Sequence, residues 1–230
     1  MSYTVTTPWE WQTWGAGKAW PDKYSRLAGR PITGGTYTGP INPASERSRV
    51  VSMDRPLVGS GINHVDRDAI ALVQYLEGAG IEVDQVADTD INDNPSILTH
   101  YSGIIFSGHP EYMTNRIFRS ILAARNNGIN LAFLGSNTAY WQVRLESSPS
   151  GTNRRVDIYR DPLTDPVTTP SEISIQFDNP RINLLPSLIT GETTAGVHVV
   201  GDMTLVNKPS WLNISSTAHL DGWSPNTEID

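Results

Sequence analysis

Two different patterns of apolar and polar positions divide the chain. Between residues 49 and 135, short apolar runs alternate with segments whose apolar residues recur every three or four positions, as strands and amphipathic helices do. Strands are predicted near residues 49–53, 81–86, 103–107 and 130–135, and helices near 66–79 and 114–127. Because strands joined by crossover helices lie parallel, the fold class predicted is α/β, a doubly wound and mainly parallel sheet.

Residues near the ends of the second predicted helix support its limits, and the apolar pattern changes after this α/β region. Thr114 is the predicted N-cap of the second helix, whose Ile117 and Ile121 share one face, and a short helical turn is predicted over 95–101. After Trp141 the apolar period becomes two, which predicts a β-rich excursion over about residues 150–216. Its strand candidates are residues 154–159, 173–177, 197–206 and 211–215, with turns at Asp161-Pro162 and Asp165-Pro166.

The first 47 residues lack either pattern. Glycine and proline interrupt them, yet they hold four of the seven tryptophans: Trp9, Trp11, Trp14 and Trp20. We therefore predict an irregular arm over residues 1–47 that packs on the body of the chain or on a second copy, and one α/β domain over residues 48–230. An aromatic carbohydrate-binding surface is the alternative for the arm.

Composition narrows the class of protein. The 230 residues carry 17 Lys and Arg against 24 Asp and Glu, a net charge of −7, which argues against a nucleic-acid partner. The absence of cysteine excludes disulfides and thiolate chemistry. No apolar run is long enough for a membrane span, and the first residues lack a signal-peptide pattern. We expect a soluble, cytoplasmic protein without a membrane partner.

Candidate chemistry lies where the predicted strands end, since ligands of parallel sheets bind beyond the carboxyl ends. The first strand ends in Asp54, the second is followed by Asp88, and the third is followed by His109, Glu111 and Tyr112. An imidazole, a carboxylate and a phenol can bind a metal or transfer protons. The alternative is that His109 and Glu111 bond backbone groups in a tight turn while Tyr112 covers the core.

The fourth strand is followed by Gly135-Ser136-Asn137. Ser136 stands where a hydrolase of this architecture carries its nucleophile, although the Gly-x-Ser-x-Gly pattern is not present. The alternative is that Ser136 and Asn137 are only turn residues. We predict that any site lies over this edge of the sheet, where His109, Glu111 and Tyr112 meet Asp54, Asp88 and Ser136.

Several strings, in this order, resemble one family. They are Ser52-Met53-Asp54-Arg55-Pro56, Ser107-Gly108-His109-Pro110-Glu111-Tyr112 and Asn137-Thr138-Ala139-Tyr140-Trp141. The chain resembles the C-terminal domain of the N,N-dimethylformamidase large (beta) subunit, over residues 48–160 in particular. The resemblance implies a glutamine amidotransferase-like, flavodoxin-like fold without the cysteine of that class, and hydrolysis of an amide C–N bond in a small-molecule substrate.

The resemblance also implies an iron held by two tyrosines and a glutamate. Tyr112 matches one tyrosine and Glu228 corresponds to the glutamate, whereas the region expected to hold the other tyrosine, residues 64–70, contains none. We therefore expect iron binding to be weak or absent. The first hypothesis is a hydrolase whose site contains His109, Glu111, Tyr112, Ser136 and Asp54. The second is a non-catalytic binding or assembly module, which forms a homo-oligomer through the tryptophan arm. The third is a carbohydrate-binding protein.

Overall fold

The computed structural model describes residues 2–3, 50–52, 54, 70–108, 110–135 and 137–192. All of them belong to a unit that comprises residues 1–33 and 40–193; a second unit, residues 34–39 and 194–230, lies outside the described residues. The elements in chain order are β1 (Ser2–Tyr3), β2 (Val50–Ser52), α1 (Ile70–Gly78), β3 (Val86–Ala87), α2 (Asp88–Asp93), a 3₁₀ helix (Pro95–His100), β4 (Gly103–Ser107), β5 (Tyr112–Met113), α3 (Asn115–Asn126), β6 (Asn130–Leu134), β7 (Trp141–Gln142), β8 (Arg144–Ser148), β9 (Gly151–Asp157) and α4 (Ser187–Thr190).

A parallel sheet with strand order β3-β1-β4-β6 is the centre of this architecture. Its longest ladder joins β4 to β6, from Gly103 opposite Asn130 to Ser107 opposite Leu134. Phe106 and Phe133 stack across this ladder with ring centroids 4.6 Å apart. The prediction of parallel strands near 103–107 and 130–135 is confirmed.

Helix α3 forms the crossover between β4 and β6 and buries its apolar face. Thr114 caps it as predicted, since its hydroxyl accepts a hydrogen bond from the Ile117 amide at 3.1 Å. Ile117, Phe118 and Ile121 are at most 2% exposed and belong to the main core cluster. The predicted helix and its apolar face are therefore confirmed, and the short turn predicted over 95–101 is the 3₁₀ helix.

The first predicted strand belongs to a different sheet. β2 pairs antiparallel with β9, and β9 pairs antiparallel with β8, so residues 50–52 lie in a three-stranded antiparallel sheet. The prediction that they join the parallel sheet is wrong. Their short apolar run pairs with the edge of the β8–β9 hairpin, about a hundred residues further along the chain, and Val51 lies opposite Val156.

Two other strand predictions are corrected in part. Of residues 81–86 only Val86 is in a strand, and Ile81 is 49% exposed. Residues 173–177 form no ladder, although their apolar side chains are buried as the alternation predicted. Their backbone bonds segments on both sides: the Gln142 amide donates to the Ile175 carbonyl and the Arg160 amide to the Ser174 carbonyl, each at 2.8 Å.

The described residues thus form a mixed α/β structure of helices with small parallel and antiparallel sheets. None of the helices described is long and apolar enough to cross a membrane. Ser2 and Tyr3, which belong to the arm predicted to be irregular, form β1 of the parallel sheet. The rest of the arm with its four tryptophans lies outside the described residues, as do residues 66–69 of the first predicted helix and the strands predicted at 197–206 and 211–215.

Candidate functional site

Two segments that follow neighbouring parallel strands run side by side. Beyond β4 and β6, the Ala139 amide donates to the Pro110 carbonyl and the Trp141 amide to the Glu111 carbonyl, both at 2.9 Å. β5 and β7 then pair in parallel, with Tyr112 opposite Trp141. The two strand-end segments that the sequence singled out are therefore brought together by their backbones.

The segment after β6 carries two more residues than its partner. Ser107 lies opposite Leu134, but Tyr112 lies opposite Trp141. The extra length is accommodated where Asn137 and Ala139 adopt left-handed backbone conformations, with φ of 54° and 52°. Residues with a side chain rarely adopt this conformation, and such strain is concentrated at binding and catalytic sites. Ala139 is fully buried, so the surrounding core holds it in place.

A close backbone approach joins the start of the two segments. A Cβ atom added to Gly135 would overlap the carbonyl oxygen of Gly108. Only glycine permits this approach. Gly108 itself has a φ of 76°, in the region that favours glycine.

The paired segments bury an acid and a phenol, and a cation lies beside the phenol ring. Glu111 and Tyr112 are each 9% exposed. The guanidinium carbon of Arg160 lies 5.8 Å from the ring centroid of Tyr112 and 5.9 Å from that of Trp141. Both distances are within the range of cation–π attraction. Arg160 is buried, and its own φ is 63°.

Sequence reasoning missed Arg160, because the stretch before Asp161-Pro162 was interpreted only as the end of a strand. Arg160 could have been identified because it directly follows a segment in which apolar residues alternate. Arginine is rarely buried without a specific partner.

Two buried hydroxyl groups flank this arrangement. Within the described ranges, Ser107 Oγ and Thr138 Oγ1 have no hydrogen-bond partner. Ser107 ends β4, and Thr138 lies between the two left-handed residues of the longer segment. A buried hydroxyl without a partner is uncommon in a native protein and costs stability.

A second set of buried charges anchors the segment that carries Arg160. The Arg144 guanidinium donates to both carboxylate oxygens of Asp165 at 2.9 Å and lies 3.5 Å from the carboxylate of Asp157. Ser174 donates to Asp165 from its amide and its hydroxyl, both at 2.7 Å, and accepts from the Tyr159 amide at 2.8 Å. Burial by itself would raise the pKa of Asp165, but the bonds from Arg144 and Ser174 outweigh it and hold that pKa below 3.8.

Asp54 lies beside the antiparallel sheet, two residues beyond the end of β2, and not at the carboxyl edge of the parallel sheet, where it was expected. Its carboxylate accepts hydrogen bonds from the Ser148 and Ser150 hydroxyls and from Arg154 Nε, the last at 2.6 Å. The serine hydroxyls first, and then Arg154, lower the pKa of Asp54 to about 2. The displacement follows from β2, which pairs with β9 and carries the next residues with it.

The other predicted site residues are placed as follows. Asp88 begins α2 directly after β3 and is buried, so it does follow a strand of the parallel sheet. His109, Ser136 and Glu228 lie outside the described residues.

The described residues offer few donors for an iron site. Among these residues no group of three or more His, Asp or Glu side chains is arranged to hold a metal ion. The oxygen donors present are Glu111 and Tyr112, and the Arg160 cation already occupies the space beside the Tyr112 ring. The positive charge of Arg160 would repel an iron cation bound beside Tyr112. The described residues therefore form no iron centre by themselves, the expected ligand Glu228 lies outside them, and weak or absent iron binding stays a prediction.

Comparison with known proteins gives one family. Residues 8–222 match the family described as N,N-dimethylformamidase beta subunit-like, C-terminal. No curated protein matches the chain.

Proposed function

Since the chain belongs to the family of N,N-dimethylformamidase beta subunit-like C-terminal domains, we propose that it hydrolyses the C–N bond of a small amide. The site proposed lies over the paired segments that follow β4 and β6. We also propose the finer fold: a doubly wound, glutamine amidotransferase-like domain, of which the β3-β1-β4-β6 sheet is the core.

One observation carries this proposal: a buried carboxylate and a buried phenol follow one another on the segment after β4, and a buried guanidinium lies against the phenol ring. Glu111 and Tyr112 are adjacent in the chain, and Arg160 lies against the Tyr112 ring. Amide hydrolysis needs a base for water, positive charge for the oxyanion and an acid for the leaving amine. These three side chains supply one group for each task.

The roles follow from charge. The Glu111 carboxylate takes a proton from water as the water oxygen attacks the carbonyl carbon. Arg160, which stays protonated, stabilises the negative charge that develops on the carbonyl oxygen. Tyr112 donates its proton to the amide nitrogen as the C–N bond breaks, and the proton that Glu111 took from water restores the Tyr112 hydroxyl. The products are a carboxylic acid and an amine.

Amine release from a panel of small amides tests the proposal, beginning with N,N-dimethylformamide because of the family's name. Tyr112→Phe removes one oxygen and Glu111→Gln one charge, and each is expected to lower turnover by about 10²- to 10⁴-fold. Tyr75→Phe and Glu77→Gln are matched controls on α1, where both side chains are exposed, and they leave turnover unchanged.

The non-catalytic alternative gives a different result in the same assay. A folded wild-type chain that releases no amine from any amide of the panel contradicts hydrolysis and favours a binding or assembly module. Turnover that Tyr112→Phe and Glu111→Gln leave unchanged places the site elsewhere. Metal content, measured on protein purified without chelators, tests the expectation of weak iron binding in the same preparation.

A further inference from the structure

An open groove of about 620 Å³ lies between the 3₁₀ helix and α3. Its walls include the apolar side chains of Pro95, Ala123 and Ala124 and the guanidinium-bearing residues Arg116 and Arg119. The volume is in the range of small-molecule sites. No residue of this groove has a role in the amide hydrolysis proposed above.

The groove carries positive charge at the N-terminal end of α3, where helix electrostatics favours negative charge. The N-terminal end of a helix carries partial positive charge and is stabilised by acidic side chains. The first turn of α3 contains no acidic residue and carries Arg116 instead. Arg119 lies three positions on, on the same side of the helix, so that two cations are neighbours at its positive end.

Neither arginine is neutralised by a neighbouring acid. Within the described part of the chain no carboxylate oxygen lies within 4.0 Å of a guanidinium nitrogen of Arg116 or Arg119. The chain as a whole has a net charge of −7, so acidic residues are plentiful elsewhere. Arg116 Nη2 donates to the backbone carbonyl of Asp93 at 3.4 Å, a neutral contact that leaves its charge without an acidic partner among the described residues. A local conflict of charge of this kind is typical of a functional position.

Buried amides orient Arg119. Its Nε donates to Asn115 Oδ1 at 2.7 Å, and Asn115 Nδ2 donates in turn to Gln142 Oε1 at 2.8 Å. Asn115 is 6% exposed and Gln142 is fully buried. This chain of bonds restrains the guanidinium before any ligand arrives, which lowers the entropic cost of binding.

We infer that this groove binds a small organic monocarboxylate. The carboxylate is held by Arg116 and Arg119, because a guanidinium matches the planar geometry of that group. The apolar part of the ligand covers Pro95, Ala123 and Ala124. Glu172 also borders the groove, and its charge disfavours ligands with a second carboxylate.

Benzoate tests the inference, because it joins one carboxylate to an apolar ring, and benzamide is its neutral counterpart. Titration of the full chain is followed by amide chemical shifts and by calorimetry. We expect benzoate to bind with shifts centred on Thr99, Ser120 and Ala123, and benzamide to bind at least about tenfold more weakly. Arg119→Gln and Arg116→Gln each weaken benzoate binding by about tenfold or more, whereas Arg181→Gln, at an exposed arginine outside the groove, leaves it unchanged.

Three results overturn the inference: no benzoate binding, equal binding of benzamide, or benzoate binding that both groove variants leave unchanged. Since both arginines are exposed, the variants are expected to fold, which circular dichroism checks. Amide turnover is not part of this experiment, so its outcome is separate from that of the hydrolase proposal.

Discussion

Gly135→Ala is expected to separate the two segments of the candidate site. The added Cβ would overlap the carbonyl oxygen of Gly108 and lie 2.5 Å from its carbonyl carbon, whereas ordinary contacts begin at 3.4 Å. Both neighbours are backbone atoms, so no side-chain rotation can relieve the clash. The two segments must therefore move apart, and backbone shifts of this kind in a packed core lower stability.

The expected cost is worked from two contributions. Overpacking costs about 1–3 kcal/mol, and weakening the bonds from Ala139 to Pro110 and from Trp141 to Glu111 adds about 0.5–1.5 kcal/mol for each bond lost. We therefore expect Gly135→Ala to lower the free energy of unfolding by about 2–6 kcal/mol. If amide turnover is present in the wild-type chain, the same variant loses it.

Urea denaturation followed by circular dichroism measures this change. Gly78→Ala is the matched control, because a Cβ at Gly78, the last residue of α1, meets no atom within 4 Å. It is expected to raise stability by about 0.5–1 kcal/mol, since alanine favours the helix. A Gly135→Ala variant as stable as the wild type, with an unchanged denaturant dependence, would refute the close approach of the two segments.

Three further predictions concern single side chains. Asp165→Asn leaves Arg144 without its main partner and is expected to lower the free energy of unfolding by about 3–5 kcal/mol, measured by thermal or urea unfolding. The pKa of Asp165 is lower in the folded than in the unfolded chain. The stabilisation that Asp165 gives the wild type is therefore complete above about pH 3.8 and is lost as the pH falls through the folded pKa. Carbon-detected NMR should show Asp54 titrating at about 2, and Ser148→Ala should raise that pKa towards 3.8, since the Ser148 hydroxyl is its largest cause. Thr114→Ala removes the N-cap of α3 and should lower the free energy of unfolding by about 1 kcal/mol, whereas an unchanged value would mean that the cap bond is not formed in solution.

Local patterns predicted the elements whose limits depend on near neighbours. The helix that follows Thr114 could be predicted because its N-cap, its apolar face and the Asn127-Gly128 stop all lie within 15 residues. The β4 and β6 strands could be predicted because each is a short apolar run on one side of that helix. Their parallel pairing follows from the crossover connection.

Long-range pairing could not be predicted in this way. A three-residue strand such as Val50–Ser52 has the same apolar pattern in a parallel and in an antiparallel sheet, and its partner lies about a hundred residues away. Residues 173–177 alternate as a strand does, yet they bond the backbone of Tyr140–Gln142 on one side and of Arg160 on the other without forming a ladder. Periodicity reports which face is buried, not which segment covers it.

Part of the candidate site was visible in the sequence for the same reason. Glu111 and Tyr112 follow a predicted strand directly, so the position of the strand fixed theirs. Arg160 reaches Tyr112 from a segment 48 positions later, through a fold of the chain that no spacing rule encodes. The predicted position of Asp54 was wrong because it assumed that β2 belongs to the parallel sheet, and β2 does not.

The buried charges connect the stability of this region to the candidate site. Ser174 bonds the Asp165 carboxylate with its amide and hydroxyl, while its carbonyl accepts the amide hydrogen of Arg160. The same residue thus joins the ion pair with Arg144 to the backbone that holds Arg160 in its left-handed conformation. A left-handed arginine is unfavourable on its own and persists only where the surroundings determine it. The network around Asp165 is the surrounding structure that does so, and the position of the Arg160 cation beside Tyr112 therefore depends on charges that lie outside the site itself.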